Sequence, residues 1–203
     1  NLIYISHFIK KVYNIRINFA WNSAIFKIFF LTALPFALAG IIGRLYSYSD
    51  SLLMSKMLTA KELGWWSVPY KITFAFQFIP VALSASVYPV FSSLFISQKD
   101  AIGPLFEKAW RYLFTIVFPL AFGLIAIADP VVKHAFGPQY TPSVTPLRIL
   151  LLSLIFGFLG LITSALLNAT NKQKTQTKLI ASALAVNVIL NIILLPKLRI
   201  DGA

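Results

Sequence analysis

Long apolar runs separated by short polar connectors dominate the chain. Five stretches approach or reach membrane-spanning length: Ile25 to Leu58, Leu63 to Phe95, Tyr112 to Ala128, Ile149 to Ala169 and Leu179 to Pro196. An α-helix needs about 20 apolar residues to cross the hydrocarbon core. The third and fifth runs fall somewhat short of that. Trp110, Arg111 and Tyr112 flank the third, and Lys178 and Lys197 the fifth, and these residue types anchor helix ends among lipid headgroups. Transmembrane β-strands would show alternation over segments of about ten residues, a pattern this chain lacks. The pattern therefore predicts an all-α, polytopic transmembrane helix bundle with about five spanning helices across residues 25–203. Residues 1–24 read as the tail of a preceding helix, Asn1 to Ile9, followed by a basic, interfacial connector from Lys10 to Ala24.

Composition strengthens this picture. Hydrophobic residues make up 58% of the chain, charged residues 12%, and the mean hydropathy is +0.78, too apolar for an ordinary soluble domain. The 18 Lys and Arg outnumber the 6 Asp and Glu. In so apolar a chain, that excess points to anionic lipid headgroups or an anionic substrate rather than to nucleic acid. With five crossings, ten of the basic residues fall on the side of Lys10 and seven on the other, with Arg44 between them. The positive-inside rule then makes the N-terminal connector cytoplasmic and the protein a multi-pass component of the cell membrane. The chain starts at Asn1 and stops at Ala203 on a run that reads as unfinished, so it is expected to be an internal piece of a longer protein.

Within this apolar background, polar side chains are the functional candidates. Arg44 and Asp50 lie inside the first span, and an ionisable group there faces a water-filled path, a substrate or a partner helix. Lys27 and Lys56 are 29 residues apart, about 44 Å on a straight helix, and can anchor opposite interfaces. That register puts Arg44 within about 4 Å of the midplane and Asp50 about 13 Å from it. Six residues separate the two, so they are not an ion pair on one helix face. Arg44, with Lys71 at the start of the next polar face, is the candidate contact for an anionic headgroup. Asp50, the only acid in the five spans, is a candidate for coupling or gating.

Tyr70, Gln77, Ser84 and Tyr88 share one face of the second span, and Ser47, Gln77 and Ser84 are candidate cavity-lining residues. Pro69 is expected in a first helical turn, whereas Pro35, Pro80 and Pro89 should bend their helices. In the fourth span, Ser153, Gly157, Gly160, Ser164 and Asn168 form a stripe that suits close helix packing. Asn187 and Asn191, one turn apart in the fifth span, need hydrogen-bond partners in lipid: either a neighbouring helix or sugar hydroxyls in a cavity.

The chain contains no cysteine, no phosphate-binding glycine loop and no hydrolase or metalloprotease motif. His7 and His134 have no clustered ligands in sequence, so neither a metal nor another cofactor is expected, nor is enzymatic activity. Asn168-Ala169-Thr170 fits a glycosylation sequon, but in this orientation it is cytoplasmic and more simply ends a helix.

Several motifs in order resemble one family. Arg44-Leu45-Tyr46-Ser47-Tyr48-Ser49-Asp50, Gly64-Trp65-Trp66-Ser67-Val68-Pro69-Tyr70-Lys71-Ile72, Ile79-Pro80 and Tyr88-Pro89 are followed by Phe136-Gly137-Pro138-Gln139-Tyr140, Asn168-Ala169, and the run Asn187, Asn191, Pro196, Gly202, Ala203. Together they resemble the polysaccharide biosynthesis and O-antigen flippases of the multidrug/oligosaccharidyl-lipid/polysaccharide (MATE-like) superfamily. Val68-Pro69 stand where small alanines are usual and Arg199 where a turn glycine is usual, so local departures are expected there.

The resemblance implies twelve to fourteen helices in two related lobes, with this chain as the first five helices of the C-terminal lobe and the N-terminal lobe as its partner. It also implies transport, by alternating access, of an oligosaccharide linked to a polyprenyl pyrophosphate from the cytoplasmic to the outer leaflet. A drug/cation antiporter of the same superfamily and a non-transporting scaffold or polymerase subunit are the alternatives. A cationic substrate would call for more buried acids than Asp50, and a polymerase for a large outer loop.

Overall fold

A computed structural model describes residues 23–202. The expected tail and basic connector over residues 1–24 lie outside the described residues, apart from Ser23 and Ala24. Seven α-helices follow one another: α1 (Ser23–Met57), α2 (Ala60–Ala75), α3 (Phe78–Ser97), α4 (Ile102–Ala126), α5 (Ala128–Phe136), α6 (Val144–Ala169) and α7 (Gln173–Leu198). Short 3₁₀ turns occupy Lys99–Ala101, Pro138–Ser143 and Arg199–Gly202. No strand occurs among the described residues. Two compact units divide the chain at residues 38 and 39. In the first, Phe26 and Phe30 stack one turn apart along α1. All the packing and the candidate site described below belong to the second.

Among the described residues, four segments are long and apolar enough to cross a membrane: Ala60–Ser97, Lys99–Ala126, Pro138–Ala169 and Gln173–Gly202. Five were expected from the hydropathy pattern. The remaining one, at Ile25 to Leu58, is the 35-residue helix α1 and is not among the four. Residue Tyr112, where the third run begins, lies well inside α4, which starts ten residues earlier at Ile102.

The prolines of the second run act differently from expectation. Thr59 and Glu62 form a reciprocal capping box that starts α2 at Ala60, as a Thr followed three residues later by Glu favours. Pro69 therefore sits in the helix interior, not in a first turn. A proline there removes the hydrogen bond to the carbonyl four residues back, which is that of Trp65. The Ser143 hydroxyl donates to that carbonyl at 2.7 Å, and Ser143 is fully buried. The indole of Trp65 also donates to the Gln139 carbonyl at 2.8 Å. A lost helical bond thus becomes an attachment point for the Pro138–Ser143 turn, which Gly137 enters at φ 97°. Pro80 does not bend a continuous helix, because the run breaks at Phe76-Gln77 and Pro80 falls in the first turn of α3, where a missing N–H costs little.

α6 is the central helix. Leu154, Ile155, Phe158 and Ile162 meet Val87 and Phe91 of α3 and Ala109, Leu113, Val117 and Ala121 of α4. Nearer its start, Val144, Leu147 and Leu151 pack with Val68 of α2 and with Ala128 and Val132 of α5. A third cluster joins Met54 of α1, Trp66 of α2, Leu195 of α7 and Ile200.

The first part of the small-residue stripe of α6 is not where this packing occurs, whereas Ser164 farther along is half-buried and accepts from Gln176 of α7 at 2.6 Å. Ser153, Gly157 and Gly160 are exposed, and a Cβ on either glycine would meet nothing within 4 Å. The bulky residues of the opposite face make the core instead, because they bury more apolar surface against α3 and α4. Large apolar side chains also cover the outside, with Phe156 75% and Ile189 56% exposed. Helices that are apolar all round suit lipid rather than water.

Candidate functional site

The polar residues of α1 and α7 form one connected cluster. Asn187 and Asn191 each donate an amide hydrogen to Oδ1 of Asp50, at 2.9 and 2.8 Å. Asn191 also approaches Asn187 Oδ1 at 3.2 Å. The Ser49 hydroxyl lies 2.8 Å from Asn187 Oδ1 and 2.9 Å from the Tyr46 carbonyl. Helical spacing explains the arrangement: Asn187 and Asn191 are one turn apart on α7 and face α1 together. Both partners of the expected asparagine pair are therefore helix groups of this chain. Ser49, which the sequence did not single out, completes the set.

Burial makes this cluster consequential. Asn191 is 2% exposed and Ser49 is buried, whereas Asp50 and Asn187 are half-buried. Hydrogen bonds to a charged group contribute about 1.5–3 kcal/mol each, and a buried donor left without its acceptor costs about 1–3 kcal/mol. One atom does not fit: Asn191 Oδ1 is buried with no hydrogen-bond partner. Among the described residues Asp50 Oδ2 also accepts no hydrogen bond.

The other candidates lie apart from this cluster. Arg44 and Lys71 are exposed, and neither forms an ion pair among the described residues. Ser47 is exposed and bonds back to the Gly43 carbonyl. Gln77 is exposed at the break between α2 and α3, and Ser84 is half-buried on α3. No hydrogen bond connects Arg44, Lys71, Gln77 and Ser84 to one another among the described residues.

A second polar junction lies where α2 begins and α7 ends. Arg199 grips the Glu62 carboxylate with two parallel bonds, Nε to Oε1 at 2.7 Å and a terminal guanidinium nitrogen to Oε2 at 2.8 Å. Glu62 accepts from the Thr59 backbone and hydroxyl as well. Arg199 has φ 57°, a left-handed backbone that disfavours side chains other than glycine. The ion pair with Glu62 offsets the strain that arginine brings here. Gly202 follows closely, where an added Cβ would lie 3.0 Å from the Leu194 backbone. Thr59-x-x-Glu62 carried a readable capping signal, but nothing local announced Arg199 as its partner.

Fold and polar geometry together define a polytopic α-helical membrane protein whose helices are tied by polar side-chain contacts. Residues 1–145 match the family described as polysaccharide biosynthesis protein, and the chain belongs to that family. It is 23% identical over 166 residues to a Haloferax volcanii protein named "Probable low-salt glycan biosynthesis flippase Agl15", covering 81% of this chain and 35% of that protein. It is 22% identical over 202 residues to the "Capsular polysaccharide biosynthesis protein CapF" of Staphylococcus aureus, covering 97% of this chain and 50% of that protein. A membrane protein of Methanocaldococcus jannaschii is 28% identical over 128 residues, 63% of this chain and 25% of its own. The chain thus spans half or less of the length of these relatives. No solved structure matches.

Proposed function

We propose that the protein containing this chain is a flippase. It carries an anionic, polyprenyl-pyrophosphate-linked oligosaccharide from the cytoplasmic to the outer leaflet of the cell membrane by alternating access, and it is a transporter rather than an enzyme. The observation that carries this reading is Arg44, an exposed cation with no ion-pair partner among the described residues, in a helix whose one acid is already engaged by amides of α7. A pyrophosphate headgroup needs cationic partners in a low-dielectric cavity. Arg44 is the headgroup contact in this reading, with Lys71 assisting and Gln77, Ser84 and Ser47 lining the path. The family and the flippase named among its relatives support the same class of cargo.

Asn187 and Asn191 were sugar-contact candidates, and their amides here bond Asp50 instead, so their role in this reading is to hold α7 against α1. The N-terminal connector is cytoplasmic, membrane lipids surround the helices, and the remaining length of the protein supplies the second lobe. A cation antiporter is the second reading. Asp50 favours it, but a lone, amide-bound carboxylate is a poor match for an organic cation.

Replacing Arg44 with Ala in the full-length protein and scoring surface polysaccharide tests the proposal. Export should fall at least tenfold at normal expression, and unchanged export removes Arg44 from the mechanism.

A further inference from the structure

The face of α1 that carries Arg44 holds more polar groups than a headgroup contact needs. At about 100° per residue, Ser47, Tyr48, Ser51 and Ser55 fall with Arg44 in one sector about 100° wide, and Arg44 to Ser55 covers about 16 Å of the axis. We propose that Tyr48, Ser51 and Ser55 bind the sugar portion of the cargo, a hydroxyl-rich oligosaccharide lying along α1 from Arg44 toward the start of α2. The assignment rests on the flippase reading above and extends it from the headgroup to the sugar.

The sector is open. Tyr48 is 56% exposed, Arg44, Ser47 and Ser55 are exposed, and Ser51 is half-buried. Ser49 and Asp50, which meet Asn187 of α7, lie on the other side of α1. The hydroxyls of Ser47 and Ser55 donate to the Gly43 and Leu52 carbonyls at 3.0 and 2.7 Å. Neither the Tyr48 nor the Ser51 hydroxyl is hydrogen-bonded among the described residues.

Ile41, Leu45 and Leu52, each more than half exposed, occupy the adjoining sector, about 40° wide. The exposed surface of α1 is thus divided lengthwise into a polar strip and an apolar strip. Lipid suits the second, whereas free hydroxyls and a guanidinium are costly in hydrocarbon. Charge selects the occupant of the first: Arg44 shares its sector with no acid, so the ligand is anionic at that end. Beyond Arg44 the strip offers hydroxyls and a phenol ring without charge, which suit sugar hydroxyls and the apolar face of a sugar ring.

The test titrates full-length protein in nanodiscs with a polyprenyl-pyrophosphate oligosaccharide and, separately, with sugar-free polyprenyl pyrophosphate. Tyr48→Leu should weaken glycolipid binding at least tenfold and Ser51→Ala at least threefold. Binding of the sugar-free lipid should stay unchanged in both, and Leu52→Ala, in the apolar strip, should alter neither lipid. Because the chain has no cysteine, Ser51→Cys and Ser55→Cys report what covers the strip. A water-soluble thiol reagent should label both, and glycolipid but not sugar-free lipid should protect them. If a variant loses both lipids, the cysteine measurement decides the question. Unchanged glycolipid affinity in Tyr48→Leu and Ser51→Ala, cysteines that a partner helix or lipid keeps unlabelled, or equal protection by the two lipids would overturn the proposal. If the native protein binds glycolipid while Ser51→Cys stays unprotected, the sugar site falls and the flippase reading stands. If the native protein binds neither lipid, the flippase reading falls and the sugar site with it.

Discussion

Arg199 combines a left-handed backbone with a two-pronged grip on Glu62, so opposing effects meet in one residue. Arg199→Gly relieves the backbone while losing the ion pair, and Arg199→Ala loses the pair while keeping the strain. The glycine variant should therefore be more stable than the alanine variant by about 1 kcal/mol, measured as unfolding of the full-length protein in detergent. Equal stabilities would mean that the backbone strain is not felt. Gly202→Ala should destabilise as well, by about 1–3 kcal/mol, because its Cβ meets the Leu194 backbone rather than a yielding side chain.

At this scale the sequence was unevenly legible. Asp50 stood out because an acid in an apolar run is expensive, and Asn187 and Asn191 because amides in lipid need partners. Which group they would choose was not legible. Asp50 and Asn187 are 137 residues apart, and no local periodicity encodes a pairing at that distance. Ser49 stood out only as part of the Arg44–Asp50 run and not as a partner of α7, since a serine in a helix commonly bonds its own backbone.

Hydropathy located the helical segments because lipid demands long apolar runs with satisfied backbones. It said less about which faces meet. The stripe of Ser153, Gly157 and Gly160 looked like a packing face, yet the core forms on the other side of α6. Nor could hydropathy distinguish a bend at Pro80 from the break that occurs at Phe76-Gln77, since both leave the run apolar.

Pro69 and Ser143 give a sharper test of how elements join. Ser143→Ala strands the Trp65 carbonyl and should cost about 1–2 kcal/mol. Pro69→Ala returns the helical N–H to that carbonyl, so the same serine replacement should cost at least about 0.5 kcal/mol less in the Pro69→Ala background. A double-mutant cycle on thermal unfolding measures this coupling. Purely additive costs would show that the Ser143 hydroxyl does not stand in for the missing bond.

On the scale of the whole molecule, large apolar side chains cover much of the helices' outer surface, and positive charge outweighs negative threefold. The first property suits a bilayer, and the second suits a cargo or surface that is anionic. The chain covers half or less of the relatives it matches, so the proposed transport is tested on the full-length protein. In that proposal a lipid-linked anion moves across the membrane in contact with Arg44. The most direct measurement reconstitutes full-length protein in sealed vesicles with a polyprenyl-pyrophosphate oligosaccharide, then follows with an impermeant lectin how fast the sugar changes leaflet. Exchange should be rapid with the native protein, intermediate with Arg44→Lys and at least tenfold slower with Arg44→Ala. Exchange no faster than in protein-free vesicles, or native rates with Arg44→Ala, would contradict it.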